Sequence, residues 1–476
     1  MRFPLLGKLC ALGGVMLVLM AALSSVGSVV SERQSRQREA ERSVELSLAT
    51  QQTLLGPLLQ RHCSEQWDRA EDDGKAAKKI TERRDFVLTA WPRRLDAQSE
   101  VAIEPRYRGI FKVNGYLLKA TLAADWSDLD ALRPRPDHAG SRLQCDAPLL
   151  ALALSDARGI RAVQIKVGGQ SLPAAPGSTL AGSGRGLHAV LADTPALYAA
   201  PLRADVVLEV AGTRSVGWVP IGDETTVRVA SNWPHPSFAG SFLPVERQVG
   251  PHGFRADWKL SALATSAQAD YLRGASLCEA ADTEPYAPAV TANRGDAKCV
   301  ESFGVGFVDP VSGYVLSDRA VKYGILFIVL TFVGVMLVEV LRRVRVHPVQ
   351  YLLVGCALTV FFLLLLSLGE HLSFPAAYLA ASSACTLLLA YYGGHVLHGV
   401  RAGLLFGAAT ALLYAALYAL LQMEQSALVL GSLLLFAVLT AVMVATRRID
   451  WYALATRMRE DAAPRAGRRV PEAAGT

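Results

Sequence analysis

The strongest pattern in the chain lies between residues 321 and 446, where five long apolar segments alternate with short polar breaks. They cover 323–341, 351–368, 374–397, 402–421 and 427–445. A helix rises 1.5 Å per residue, so each has about the length needed to cross a hydrocarbon core roughly 30 Å thick. Lipid offers no partner for backbone N–H and C=O groups, so each segment is expected to be helical. A further apolar run, 9–30, follows Arg2 and Lys8 and ends at Ser31, Glu32 and Arg33. It is roughly twice the length of a signal-peptide core, which favours an uncleaved anchor over a cleaved leader.

Between these regions the pattern changes. Residues 31–52 are rich in Glu, Arg, Gln and Ala and extend the first helix as a polar continuation, which Gly56 and Pro57 are expected to stop. Short runs then suggest strands: 86–89, 101–103, 110–113, 149–154, 163–167, 187–191, 206–210, 226–229 and 254–258. Turn signals stand between them at Asn114-Gly115, Gly168-Gly169 and the Pro/Gly-rich 173–186. Residues 68–79 read as a charged loop and 266–296 as a long loop or insertion. The expected fold class is therefore an α+β membrane protein, with six transmembrane helices (one N-terminal, five C-terminal) and a large β-rich, antiparallel sandwich-like domain. In order, the expected parts are a cytoplasmic N-terminus (1–8), a first span (9–30), a periplasmic domain (31–320), a five-helix bundle (321–446) and a basic cytoplasmic tail (447–476).

Charge supplies the orientation. Arg342, Arg343 and Arg345 occupy the first break of the bundle, Arg401 the third, and Arg447 and Arg448 follow the last segment. The breaks around Glu370 and Gln422 hold no Lys or Arg. The basic breaks are expected in the cytoplasm, and so are both termini of a multi-pass inner-membrane chain. The formal charge of +6 sits largely in these breaks and the tail, so it needs no nucleic acid to explain it; the tail reads as an ordinary solvated end ahead of an element that meets anionic lipid.

The sequence holds no C-x-x-C, H-E-x-x-H, G-x-S-x-G or phosphate-loop pattern, and no cofactor or enzymatic activity is expected from it. His395 and His398 share a helical face without an acidic or thiol neighbour and read as interfacial. Glu339 is a carboxylate well inside an expected span; the spacing to Arg342 and Arg343 suggests charge pairing near the membrane interface. Of seven cysteines, Cys63, Cys145, Cys278 and Cys299 fall in the expected exported domain. Cys278 and Cys299 flank the long loop and are the candidate disulfide, with Cys63 and Cys145 as a second pair. Four cysteines permit three pairings, and the sequence does not choose among them.

Several stretches are more distinctive. Trp233, Pro234, Pro236 and Phe238 lie in an aromatic, proline-rich corner that runs to Pro244. Asp318, Arg319, Lys322 and Tyr323 lead into the second span. His347-Pro348 with Gln350-Tyr351 opens the third, Glu370-His371 closes it, and Ile449-Asp450-Trp451-Tyr452 follows the last. Ser155-Asp156-Ala157-Arg158-Gly159-Ile160 and Gly56-Pro57 add to the set. In this order the motifs closely resemble the CreD family of inner-membrane proteins. The resemblance implies one N-terminal span, a periplasmic domain and a C-terminal bundle. It also implies a role in cell envelope integrity and envelope stress, including the response to β-lactams, and brings no catalytic residues. Residues 68–79 and the 278–299 insertion look atypical of the family.

The expected function is thus that of a non-enzymatic envelope protein whose periplasmic domain contacts an envelope protein partner while the bundle rests in the lipid bilayer. The Trp233 corner reads as a packed turn or a partner surface, and Asp318 to Tyr323 as an interfacial anchor. The alternative is a transporter or lipid-handling protein with a cavity lined by Tyr391, Tyr392, Tyr414 and Tyr418.

Overall fold

The computed structural model describes residues 4–72, 77–278, 299–307, 309, 313–342, 346–396, 399–423 and 427–447. The chain divides into two compact units, one of Met1–Gln37 with Val311–Thr476 and the other of Arg38–Pro310. Its α-helices are α1 (Pro4–Ser47), α2 (Ala267–Leu272), α3 (Gly313–Arg342), α4 (Pro348–Gly369), α5 (Phe374–Val396), α6 (Val400–Gln422) and α7 (Ala427–Thr446). Among the described residues five helices, α1 and α3 to α6, are long and apolar enough to cross a membrane, where six were expected. α7 is itself 20 residues long, and Gly431–Val444 is the apolar stretch of it that counts among the described residues. With two large mixed β-sheets, these helices make an α+β membrane protein.

The helical unit packs around Leu19 and Leu23 of α1, Phe327 of α3, Leu358, Phe361 and Phe362 of α4, and Tyr378 and Tyr414. Apolar surface gives helices little reason to associate in lipid, so close approach over small residues matters more. A Cβ on Gly355 would stand 2.1 Å from Leu19, and one on Gly324 2.8 Å from Leu23, so α1 lies directly against α4 and α3 at these positions. The His347-Pro348-Gln350 motif starts α4. His347 Nδ1 accepts from the Val349 N–H (3.3 Å), Gln350 Oε1 accepts from the His347 N–H (2.9 Å), and Pro348 fills a position that has no intrahelical bond to lose.

The strands of the other unit begin with β1 (Gln52–Asp72), β2 (Ala77–Ala90), β3 (Arg94–Arg108), β4 (Phe111–Trp126), β5 (Arg142–Cys145) and β6 (Leu149–Leu154). Next come β7 (Ile160–Val167), β8 (Gln170–Leu172), β9 (Ala175–Pro176), β10 (Gly186–Val190), β11 (Leu202–Thr213) and β12 (Ser215–Trp218). The last are β13 (Glu224–Ser231), β14 (Ser237–Gly240), β15 (Glu246–Gly250), β16 (Gly253–Ser261) and β17 (Phe303–Gly306). One sheet runs β14-β17-β12-β1-β6-β10-β9, with β2 and β5 also paired to β1; the other runs β15-β16-β13-β3-β4-β11-β7-β8. They share one core, with Leu118, Leu122, Val206, Leu208 and Trp258 on one side and Leu54, Leu58, Leu150, Leu152 and Phe303 on the other.

Several sequence expectations need correction. The sheets are mixed rather than antiparallel throughout, because β1 pairs β12 and β13 pairs β3 in parallel. Gly56 and Pro57 do not end the first helix, which stops at Ser47; they lie inside β1. There the register against β6 shifts between Leu55 and Leu58, and a bulge tolerates a proline that has no N–H to donate. Leu54, Leu55, Leu58 and Leu59 are all buried, so β1 lacks the alternation that reveals a half-buried strand. The expected charged loop is the outer part of the β1–β2 hairpin, where Asp68 pairs with Thr81 and Asp72 with Ala77. Asn114 and Gly115 sit within β4 rather than at a turn. The reversal is at Gly109-Ile110, where Gly109 has φ +60° as a tight hairpin requires, while a Cβ on Gly115 would approach Leu48 to 3.2 Å.

Candidate functional site

Two ionic ties hold α1 in the helical unit. Near its start, Lys8 pairs with Glu339, whose side chain is only 10% exposed. The other Glu339 oxygen accepts from the Tyr351 hydroxyl at 2.9 Å, and the Lys8 ammonium lies 5.9 Å from the Tyr351 ring. Toward the other end, Arg33 Nε meets Glu370 at 3.2 Å, and Gln34 donates to the Tyr314 carbonyl at 3.3 Å. Lys8 and Arg33 are separated by roughly 38 Å of helix, close to a bilayer with its headgroup regions.

Arg342 and Arg343, which the sequence offered as partners for Glu339, have side chains outside the described residues. Lys8 was missed as a partner because it lies 331 residues away, beyond any helical-spacing argument. Exchanging Glu339 for Ala should lower the thermal stability of the detergent-solubilised protein by about 2–3 kcal/mol, since it strands Lys8 and the Tyr351 hydroxyl in apolar surroundings. The double variant Lys8→Met/Glu339→Leu should recover most of that loss. Simple additivity of the two changes would show that the tie contributes nothing.

Asp318 and Lys322 pair at 2.6 Å one turn apart, Lys322 exposed and Asp318 half-buried, while Tyr323 packs against the helical core. Between α5 and α6 lies a cleft of about 690 Å³, lined by residues including Tyr378, Ser382, Thr386, Tyr414 and Tyr418. The Tyr378 hydroxyl donates to the Tyr414 carbonyl at 2.7 Å. Small residues close the same helix pair further along: a Cβ on Gly403 would meet the Ala390 carbonyl at 2.6 Å. Tyr414 and Tyr418 are therefore cleft residues. Tyr391 is 70% exposed, its ring 4.6 Å from His395, and neither it nor Tyr392 lines the cleft.

In the β unit, Trp233 is buried and its indole N–H donates to the His235 carbonyl at 2.8 Å, folding the corner onto itself. Pro234 and Pro236 are half-buried. Phe238 packs edge-on against Phe254 and Trp258 and lies under Arg247. Cys278 and Cys299 are disulfide-bonded, as are Cys63 and Cys145, which stand directly opposite in the β1–β5 ladder. Residues 279–298 lie outside the described residues. Among those described, no group of three or more His, Cys, Asp or Glu side chains is arranged to hold a metal.

Two heavily bonded carboxylates of the β unit are structural ties. Asp156 accepts from the Arg158 guanidinium at 2.6 Å, the Arg158 N–H at 3.1 Å and the Thr50 N–H at 3.0 Å. Arg158 also donates to the Leu46 carbonyl in the last turn of α1. The guanidinium, ahead of an opposing effect of burial, holds the Asp156 carboxyl well below the usual range. A Cβ on Gly159 would strike the Ala211 carbonyl at 2.2 Å. The Ser155–Ile160 motif is thus the place where the end of α1 is fixed to β1 and β11. Fully buried Glu65 accepts from the Ser141 hydroxyl at 2.7 Å and from the N–H groups of Asp137 and His138, which also lowers its pKa.

A helical unit with membrane-length apolar helices and a large two-sheet unit, both contributed to by one long N-terminal helix, define an α+β multi-pass membrane protein. The sequence profile of the family described as Inner membrane protein CreD matches residues 4–452. The inner membrane protein CreD of Escherichia coli (strain K12) is 32% identical over 454 residues, 95% of each chain. The chain belongs to the CreD family of inner membrane proteins. Among solved structures, a mutant M1 zinc metallopeptidase from Deinococcus radiodurans with a Tyr-Ser-Ala substrate is similar at a TM-score of 0.18. Identity is 14%, over 35% of this chain and 38% of that one, and a score so low bears on neither fold nor function.

Proposed function

We propose that the protein is a non-enzymatic inner-membrane component that supports cell envelope integrity and the response to envelope stress, its β unit contacting another envelope protein in the periplasm. The observation that carries this reading is the edge of the second sheet. There β15 is bonded to β16 at the sheet's end, with Leu243, Val245 and Val249 beside or within it exposed by 67, 66 and 53%. An open strand edge with apolar side chains is a template for strand addition by a partner. The buried carboxylates Asp156 and Glu65 support a structural rather than a proton-transfer role, since their donors stabilise the charged form. The reading calls on no cofactor and no nucleic acid. In this topology α7 is a sixth span and both termini are cytoplasmic, as the alternation of basic and non-basic breaks supports.

Photocrosslinking in cells from positions 243 and 249, and from 318 and 323, tests the reading. Adducts to a discrete envelope protein are expected. Adducts only to lipid or to the protein's own chain would sink it. The tyrosine-lined cleft favours the second reading, a transporter or lipid-handling protein. That reading requires Tyr418→Phe or a bulky Ser382→Trp to abolish movement of a solute or lipid.

A further inference from the structure

The β3–β4 hairpin projects past the rest of its sheet. From Glu104 to Ile110 seven successive residues are exposed, including Tyr107 at 67% and Ile110 at 48%. β11, the strand beside β4, stops at Thr213 opposite Gly115, so residues 105–114 have only each other as ladder partners. The projecting part extends by roughly 16 Å, five residues at about 3.3 Å each.

Residues near both ends of the unit's stretch of chain meet its base. Gly115 lies against Leu48, just after α1, and the Thr213 N–H donates to the Thr50 carbonyl. Asn114 donates to the Phe307 carbonyl at 3.3 Å and to Asp309 at 3.4 Å, shortly before α3.

The tip also has the chemistry of a lipid interface. It carries Arg106, Arg108 and Lys112 against one carboxylate, Glu104, itself paired with Arg106 at 2.8 Å. Tyr107 stands opposite Lys112, so one face of the ribbon offers an aromatic ring beside a cation. Rings suit the headgroup level and long cations reach from it to phosphate, an arrangement that fits endwise insertion.

We infer that this hairpin tip inserts into the headgroup region of a lipid bilayer, binding anionic phospholipid. The test uses the full-length protein in phosphatidylglycerol nanodiscs, in a Cys10→Ser/Cys356→Ser background, with a fluorophore on Tyr107→Cys or Ile110→Cys. Ser171→Cys, in β8 at the opposite end of the sheet, is the control. A lipid-attached quencher should act several-fold more strongly on the two tip labels than on the control. Arg106→Glu/Arg108→Glu/Lys112→Glu should bring the tip labels down to the control level, since each cation contributes about fivefold to partitioning at an anionic surface. Tip labels that the lipid quencher reaches no better than the control overturn the inference. This holds whether those labels are open to an aqueous quencher, as in free solution, or shielded from both, as under a protein partner.

Discussion

The Cys63→Ser/Cys145→Ser variant should lose about 4 kcal/mol of stability in its β unit, the larger of two disulfide effects. The bond closes a separation of 82 residues, against 21 for Cys278–Cys299, where chain entropy gives about 3 kcal/mol. Local structure points the same way. β5 is a four-residue strand whose ladder is to β1 alone, and the cross-link fastens it there. Denaturant titration of the detergent-solubilised protein, followed by tryptophan fluorescence, measures both losses. Equal midpoints for the variant and the parent would refute the assignment. Thiol counting is a companion check: three of the seven cysteines should alkylate in denaturant without reductant, and all seven with it.

Asp156→Ala should cost about 3 kcal/mol, most of it from the Thr50 N–H and the Arg158 guanidinium left without their acceptor. Half of the Arg158 side chain is exposed, which keeps the effect below that of a fully buried pair. The same carboxylate sets a pH dependence. Its folded pKa lies below the unfolded value of about 3.9, so its contribution is complete above that pH and is lost as pH falls toward the folded pKa. Glu65 acts in the same direction. The β unit should therefore weaken below about pH 4, and Asp156→Asn should make that acid limb shallower. An unchanged slope would show that Asp156 does not carry the linkage.

How much of this was legible in the sequence depended on whether a residue's role was local. Leu149–Leu154 was read with its observed bounds because a continuous apolar run between turn signals leaves little choice. The membrane helices were legible for the same reason, since lipid imposes one pattern on every segment. β1 was not, because neighbours on both sides make it apolar throughout at its start, and its outer half is polar where it meets β2 and the short β5. Asn114-Gly115 misled as a turn signal; the glycine there answers a close approach to Leu48, which is distant in sequence. In the candidate site, Glu339 stood out as a buried carboxylate, but its partner Lys8 depends on tertiary structure. The Ser155–Ile160 motif was visible as a motif, and its work of fixing the end of α1 was not.

The two ties of α1 also set an order of assembly. At about 5–20 residues per second, the ribosome needs roughly 15 to 65 s to reach Glu339 after Lys8 has been made. Through that interval α1 must remain in the bilayer without the helices it packs against. β17, inserted between β12 and β14, is made just before α3, so the sheets can close only once nearly the whole β unit has been synthesised. Maturation therefore runs from the β unit to the bundle, and a chain stalled before residue 339 would hold a finished β unit on an unclasped helix, the form most open to membrane proteolysis.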